Sequence, residues 1–265
     1  MLLYALPLAL FAPDALAWGL QTHLFFAQYA LMAAPLADRE LRRAALRLPR
    51  LVLAGACLPD LALVGPALGT PAFRRSHRWA TLRRIAAVPL CDEDRAIVLG
   101  YASHLLSDIV AHNHFVPEHE RRIGRIEYFT HAVCEWAMDD FVRPRLTAAT
   151  AELFAAEREA LAHFVGERFR CGSAVARQAI DTLGRADGVL RASRLPRLCR
   201  RVVRLFDRNV VPRFEAYVRE TSARLGHLQD ILSGAEPAWE AEPARDSSPR
   251  VFWQHGRLLL PAKLV

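Results

Sequence analysis

Gly100-Tyr-Ala-Ser-His104-Leu-Leu-Ser-Asp108-Ile-Val-Ala-His112 places His, Asp and His at i, i+4 and i+8. On an α-helix these three side chains project along one stripe, with Asp108 in the middle. The stripe is about 12 Å long at ~1.5 Å per residue. That length lets one carboxylate bridge a metal pair while each histidine serves a different ion. His131-Ala-Val-Cys-Glu135 repeats the i, i+4 spacing on the next apolar-periodic segment, giving an imidazole with a carboxylate. A lone histidine on an apolar face is usually a hydrogen-bonded core residue, and a single HxxxD pair recurs by chance. Two such pairs with a third histidine in line read as metal ligation. Nitrogen and oxygen donors without thiolates suit catalytic zinc, which keeps a position open for water.

Outward from this stretch the apolar spacing is helical nearly everywhere. Gly19–Ala34, Asp38–Leu48, Asp92–Ala111, Tyr128–Val142, Ala149–Arg168, Ser173–Ala192 and Pro196–Ser222 all carry three-to-four periodicity, and no run of alternating strands appears. The expected fold is all-α, a multi-helix bundle around the metal cluster. Leu51–Leu68 is apolar, but Pro59-Asp60 and Gly65-Pro66 interrupt it, so it reads as a buried helix or loop and not a membrane span. Ser233–Arg250 reads as a loop before the tail. The expected organisation is a signal peptide over 1–17, a zinc-binding catalytic core over 18–145, a helical continuation of the same domain over 146–232, and a loop and tail over 233–265.

The 265 residues are 52% hydrophobic, which excludes a disordered or fibrous chain and suffices for a sizeable core. The formal charge of +7 favours anionic partners, although the excess is almost entirely arginine, with Lys263 the lone lysine. Cys57, Cys91, Cys134, Cys171 and Cys199 form no CxxC pair and suit buried small hydrophobes better than a disulfide framework. At the start, Met1–Ala12 is apolar and Ala15-Leu16-Ala17 before Trp18 has the small-x-small pattern of a signal peptidase site. No basic residue precedes the run and Pro13-Asp14 follows it, so an uncleaved first helix is the alternative. Cleavage after Ala17 implies an exported protein, periplasmic or secreted.

Five segments together resemble the zinc-dependent phospholipase C superfamily, which includes bacterial phospholipases C, single-strand-specific zinc nucleases and the N-terminal domain of glycosylphosphatidylinositol-specific phospholipase D. They are Ala17-Trp18-Gly19-Leu-Gln-Thr22-His23, Ala54-Gly55-Ala56-Cys-Leu-Pro59-Asp60, Ser76-His77-Arg-Trp79, His104-x3-Asp108-x3-His112 and His131-x3-Glu135, in family order. The resemblance implies two or three zinc ions. One would take Asp60, His77, His104 and Asp108. A second would take His23, the bridging Asp108, and the amine and carbonyl of a mature N-terminal Trp18. The third would take His131 and Glu135 with either His112 or His114. Some branches break the helix with Gln-Pro, which brings the position of His114 into play. Here Ile109-Val110-Ala111 continues the helix, which favours His112, with His114 as competitor.

The reaction this implies is hydrolysis of a phosphodiester by metal-activated water, with Asp60 orienting or deprotonating that water. Arg74, Arg75 and Arg78 flank His77, and Arg75 and Arg78 are candidates to hold substrate phosphate. A phospholipid substrate is expected first. A single-strand nuclease or nucleotidase is the alternative, for which Trp79, Tyr128 and Trp136 are the available stacking groups; a non-enzymatic metal-binding descendant is the third reading. The arginines from Arg194 to Arg208, with Leu198, Val202, Leu205 and Phe206 among them, suit contact with an anionic membrane, against the ordinary reading of a surface helix packed on the core. No obligate protein partner is implied.

Overall fold

The computed structural model describes residues 19–124 and 129–241, together with the backbone of 253–254 and 257–258. The expected signal peptide, its cleavage site, Trp18 and Tyr128 lie outside the described residues, as does most of the tail. The chain is all-α. Its helices are α1 (Leu20–Ala33), α2 (Arg39–Arg47), α3 (Pro49–Gly55), α4 (Leu61–Val64), α5 (Trp79–Ala86), α6 (Asp92–Val110), α7 (Val116–Ile123), α8 (Phe129–Val142), α9 (Thr150–Ala156), α10 (Arg158–Arg168), α11 (Gly172–Ala192), α12 (Leu195–Phe206), α13 (Val210–Arg224) and α14 (Leu228–Leu232). Among the described residues the only extended pairing is antiparallel, Trp253 with Leu258 and Gln254 with Arg257.

The bundle is organised around α6. Every residue from Ala96 to Val110 is buried, as expected of a helix that is apolar on all sides apart from one functional stripe. Its start is fixed locally. Cys91 Sγ accepts the Asp94 amide at 3.4 Å, and Asp92, Glu93 and Asp94 oppose the positive end of the helix dipole. Helices α1, α2, α3, α5, α13 and α14 pack on α6. The α3–α6 crossing is the tightest of these. A Cβ on Gly100 would lie 2.0 Å from the Val52 carbonyl oxygen, and one on Gly55 would lie 2.4 Å from that of Ile97. The two backbones therefore touch directly, with no side chain between them.

Helices beyond residue 145 share this core. Phe154, Phe164, Ile180, Val203, Phe214 and Leu228 belong to the same buried cluster as Phe26 and Leu105. Two expected helices are each divided. Ala149–Arg168 breaks at Glu157, where the carboxylate meets Arg50 at 3.1 Å. Pro196–Ser222 breaks at Asp207, whose side chain accepts the Asn209 amide at 2.9 Å and binds Arg213 at 2.5 Å, just before Pro212 in the next first turn. The second is a local side-chain alternative to helical hydrogen bonding, reinforced by the proline. The cysteines are unpaired, and Cys57, Cys134 and Cys199 are buried. Burial pushes the Cys199 thiol up to about 12, which keeps it inert.

Candidate metal centre

His104 and Asp108 lie at the middle of α6, where the close approach of α3 brings the end of that helix to the stripe. The His104 Nδ1 sits 2.8 Å from the Ala56 carbonyl. A carbonyl only accepts, so Nδ1 carries the proton and Nε2 presents its lone pair inward. That Nε2 lies 2.9 Å from Asp108 Oδ2.

His23 reaches the same carboxylate from α1. Ser107 donates its hydroxyl proton to the His104 carbonyl at 2.8 Å, so its oxygen accepts from His23 Nδ1 at 3.0 Å. This fixes the His23 tautomer as it does for His104. His23 Nε2 is 3.3 Å from Asp108 Oδ1, and the two imidazoles stack with centroids 3.5 Å apart. Asp108 therefore has one imidazole nitrogen on each of its oxygens.

Asp60 and His77 arrive from two turns that are tied together. Ser76 Oγ donates to the Pro59 carbonyl at 2.5 Å, and the Tyr101 hydroxyl donates to the Ser76 carbonyl. His77 Nε2 lies 3.3 Å from Asp60 Oδ1 and 3.8 Å from Asp108 Oδ2, and His104 Nε2 lies 4.0 Å from the same Asp60 oxygen. Two triads thus converge to ligand distances, His23 with His104 and Asp108, and Asp60 with His77 and His104.

The third group continues the stripe. His131 Nε2 is 2.6 Å from Glu135 Oε1, and the His112 ring is 5.4 Å from that of His131. The helix does not stay α-helical through this region as the sequence suggested. Ala111–Phe115 forms a π-turn, which neither breaks the helix nor leaves it regular. Pro117, in the first turn of α7, has no amide to donate, and Asn113 Nδ2 satisfies the Ile109 carbonyl at 2.9 Å. His112 stays with the stripe. His114 turns to the other side, where its Nδ1 meets Glu220 at 2.6 Å and its ring lies against Trp239.

The donors fit zinc. His112 Nε2 is buried with no hydrogen-bond partner among the described residues, and burial, with His131 beside it, holds His112 well below the usual imidazole range. A neutral imidazole with an unused lone pair is a ligand in waiting. Burial also pushes the Asp108 carboxyl above its ordinary range, which nearby His104 only partly opposes. A cation at this place reverses that balance. His23, His77, His104, Asp60, Asp108 and Glu135 are buried, whereas His112 and His131 are half-buried with their Nε2 atoms turned inside.

Arg74 and Arg75 are exposed and Arg78 is half-buried, all beside His77. Trp79 is buried, with its indole donating to the Trp239 carbonyl at 2.9 Å. The sequence reading missed Asp139, which continues the spacing of His131 and Glu135 by one more turn. It is buried, accepts the Thr22 amide and hydroxyl at 2.9 and 2.7 Å, and so fixes the start of α1 beside His23. A Cβ on Gly19 would come within 2.1 Å of Asp139 Oδ2, so a larger residue there would push this carboxylate from its seat. Burial pushes the Asp139 carboxyl up to about 7. Ser107 and the Ala56 carbonyl were missed as well.

The family model described as zinc dependent phospholipase C matches residues 22–169, more than half of the chain. No curated protein and no solved structure matches. The matched span contains every described donor of the cluster, and the chain belongs to the zinc-dependent phospholipase C family.

Proposed function

We propose that the protein hydrolyses phosphodiesters, with phospholipid as the substrate class. The observation that carries this reading is the convergence of His23, His77 and His104 on Asp108, with Asp60 alongside. In this reading Asp60, His77, His104 and Asp108 would hold one zinc, and His23, Asp108 and the terminal group of Trp18 a second. His112, His131 and Glu135 would hold a third. Zinc, when bound, supplies Lewis-acid activation of water and of the phosphoryl group.

The protein's own part is positional and electrostatic. The Ala56 carbonyl and Ser107 hold two imidazoles in the ligating tautomer, so no proton rearrangement is needed on binding metal. Asp60 has one oxygen near both His77 and His104, which leaves a second carboxylate oxygen to orient a water or take its proton. Arg75 and Arg78, next to His77 in the chain, can meet the phosphate oxygens. Burial of Trp79 removes one stacking platform that a nuclease would use, which supports lipid over single-stranded nucleic acid. Export, with a mature chain starting at Trp18, belongs to this reading and rests on Ala15-Leu16-Ala17.

The test offers phosphatidylcholine, phosphatidylinositol and single-stranded DNA to zinc-loaded protein in parallel. Chelator-sensitive turnover of lipid is expected. Release of nucleotides without lipid turnover would replace this reading with the nuclease one.

A further inference from the structure

We infer that the outer face of α12 is a docking surface for anionic lipid bilayers, a role separate from the metal centre. Pro196, Cys199 and Val203 form the stripe that α12 buries against the bundle. The opposite face is left with Leu198 at 50% and Leu205 at 81% exposure, and Phe206, the last residue of the helix, adds an apolar ring at 59% on the flank nearer Cys199. Leu198 and Leu205 are two turns apart and share one line along the helix. Arg194, Arg197, Arg201, Arg204 and, just past the helix end, Arg208 are exposed around them. None of these five makes an ion pair among the described residues. Arg200 is different: it is half-buried and bound to Asp140 at 2.7 Å.

The composition of this face selects its partner. Large apolar side chains amid unneutralised arginines match the boundary between acyl chains and anionic head groups, where apolar groups insert and guanidinium groups remain at the phosphate level. A second copy of this chain would set five unpaired arginines against five more. A nucleic acid would use the arginines but leave the leucines and Phe206 in water. No described helix is long and apolar enough to cross a membrane, so the contact is one of surface association.

The helix that carries this face is fixed on the bundle. Arg200 is tied to Asp140 near the end of α8, while Asp207, just past α12, is linked through Arg213 to Glu118 on α7.

The experiment is co-sedimentation of the metal-chelated full-length protein with phosphatidylcholine vesicles, with and without phosphatidylglycerol. The expected result is binding to the anionic vesicles that weakens with salt and is weak on phosphatidylcholine alone. Leu205→Glu/Phe206→Glu should lose at least about tenfold in partitioning. Each of Arg197→Ser and Arg201→Ser should lose roughly fivefold on the anionic vesicles. Circular dichroism and melting should be unchanged in all of them, since the side chains are exposed. Turnover of a water-soluble phosphodiester by zinc-loaded protein should also be unchanged, which keeps this inference apart from the catalytic reading. Undiminished binding by the double glutamate variant overturns it. So does equal affinity for neutral vesicles, absence of vesicle binding, tighter binding to single-stranded DNA than to vesicles, or dimerisation abolished by the same substitutions.

Discussion

Replacing Gly100 with alanine should damage the protein at the crossing that builds the metal centre. The new methyl would sit 2.0 Å from the Val52 oxygen and 2.7 Å from the Ala56 nitrogen, where ordinary contact begins at 3.4 Å. Both obstacles are backbone atoms that no rotamer change can move, so α3 must shift by more than an ångström relative to α6. Overpacking of this kind costs about 1–3 kcal/mol, with the upper end expected where backbone must yield. Alanine returns up to about 1 kcal/mol of helix propensity. The net loss is about 2 kcal/mol, a fall in Tm of roughly 4–8 °C for a chain of this size. The same shift displaces the Ala56 carbonyl from His104 Nδ1, so zinc affinity should fall about 10–100-fold. Thermal melts in chelator and competitive zinc titration measure the two effects. Gly188→Ala is the control: it is also inside a helix, its methyl would meet nothing within 4 Å, and it should be neutral or stabilising. A Gly100→Ala protein that melts at the wild-type temperature and binds zinc normally would refute the reasoning.

His112→Ala should lower zinc content and activity by at least about tenfold, whereas His114→Ala should leave zinc content intact and cost about 1 kcal/mol through its lost contact with Glu220; zinc analysis of the two variants is the check, and the reverse pattern would place the ligand at His114. Asp139 titrates at about 7 in the folded state, above the unfolded value near ~3.9. Its stabilising contribution is therefore full below ~4 and lost as pH rises toward ~7. In chelated protein, Asp139→Asn should flatten the pH dependence of Tm across that window, and an unchanged slope would show that another group carries it. Intact-mass measurement on exported protein should find a chain beginning at Trp18; one beginning at Met1 would remove the proposed terminal ligand.

The helical stripe of His104, Asp108 and His112 was readable because period 3.6 turns i, i+4 and i+8 into neighbours before any tertiary contact is known. The π-turn was not readable from the apolar pattern around Ala111. Its cause is Pro117, too far along to register as a break, together with Asn113 acting on the Ile109 carbonyl. The helical spacing favoured His112 over His114, but the pairing of His114 with Glu220 on α13, more than a hundred residues away, has no local signal. The supporting groups were hidden for a similar reason. Ser107 is an ordinary helical serine until α1 sets His23 beside it, and the role of Ala56 is that of a backbone oxygen. Nothing local marks Gly100 and Gly55 as partners, and only the crossing of α3 and α6 gives them a purpose. For α12 the amphipathic pattern was plain, but which apolar residues face inward depends on α8. Pro196, Cys199 and Val203 took that side and left Leu198, Leu205 and Phe206 outside.

The central claim is that Asp108 organises a zinc cluster, and elemental analysis of purified full-length protein tests it most directly. Wild-type protein should carry more than one zinc ion per chain after dialysis against metal-free buffer. Asp108→Ala should lose zinc from both triads at once and, with it, the difference in melting temperature between zinc-loaded and chelated protein. Metal-free wild-type protein whose stability is indifferent to zinc, or an Asp108→Ala variant with its full complement, would contradict the account.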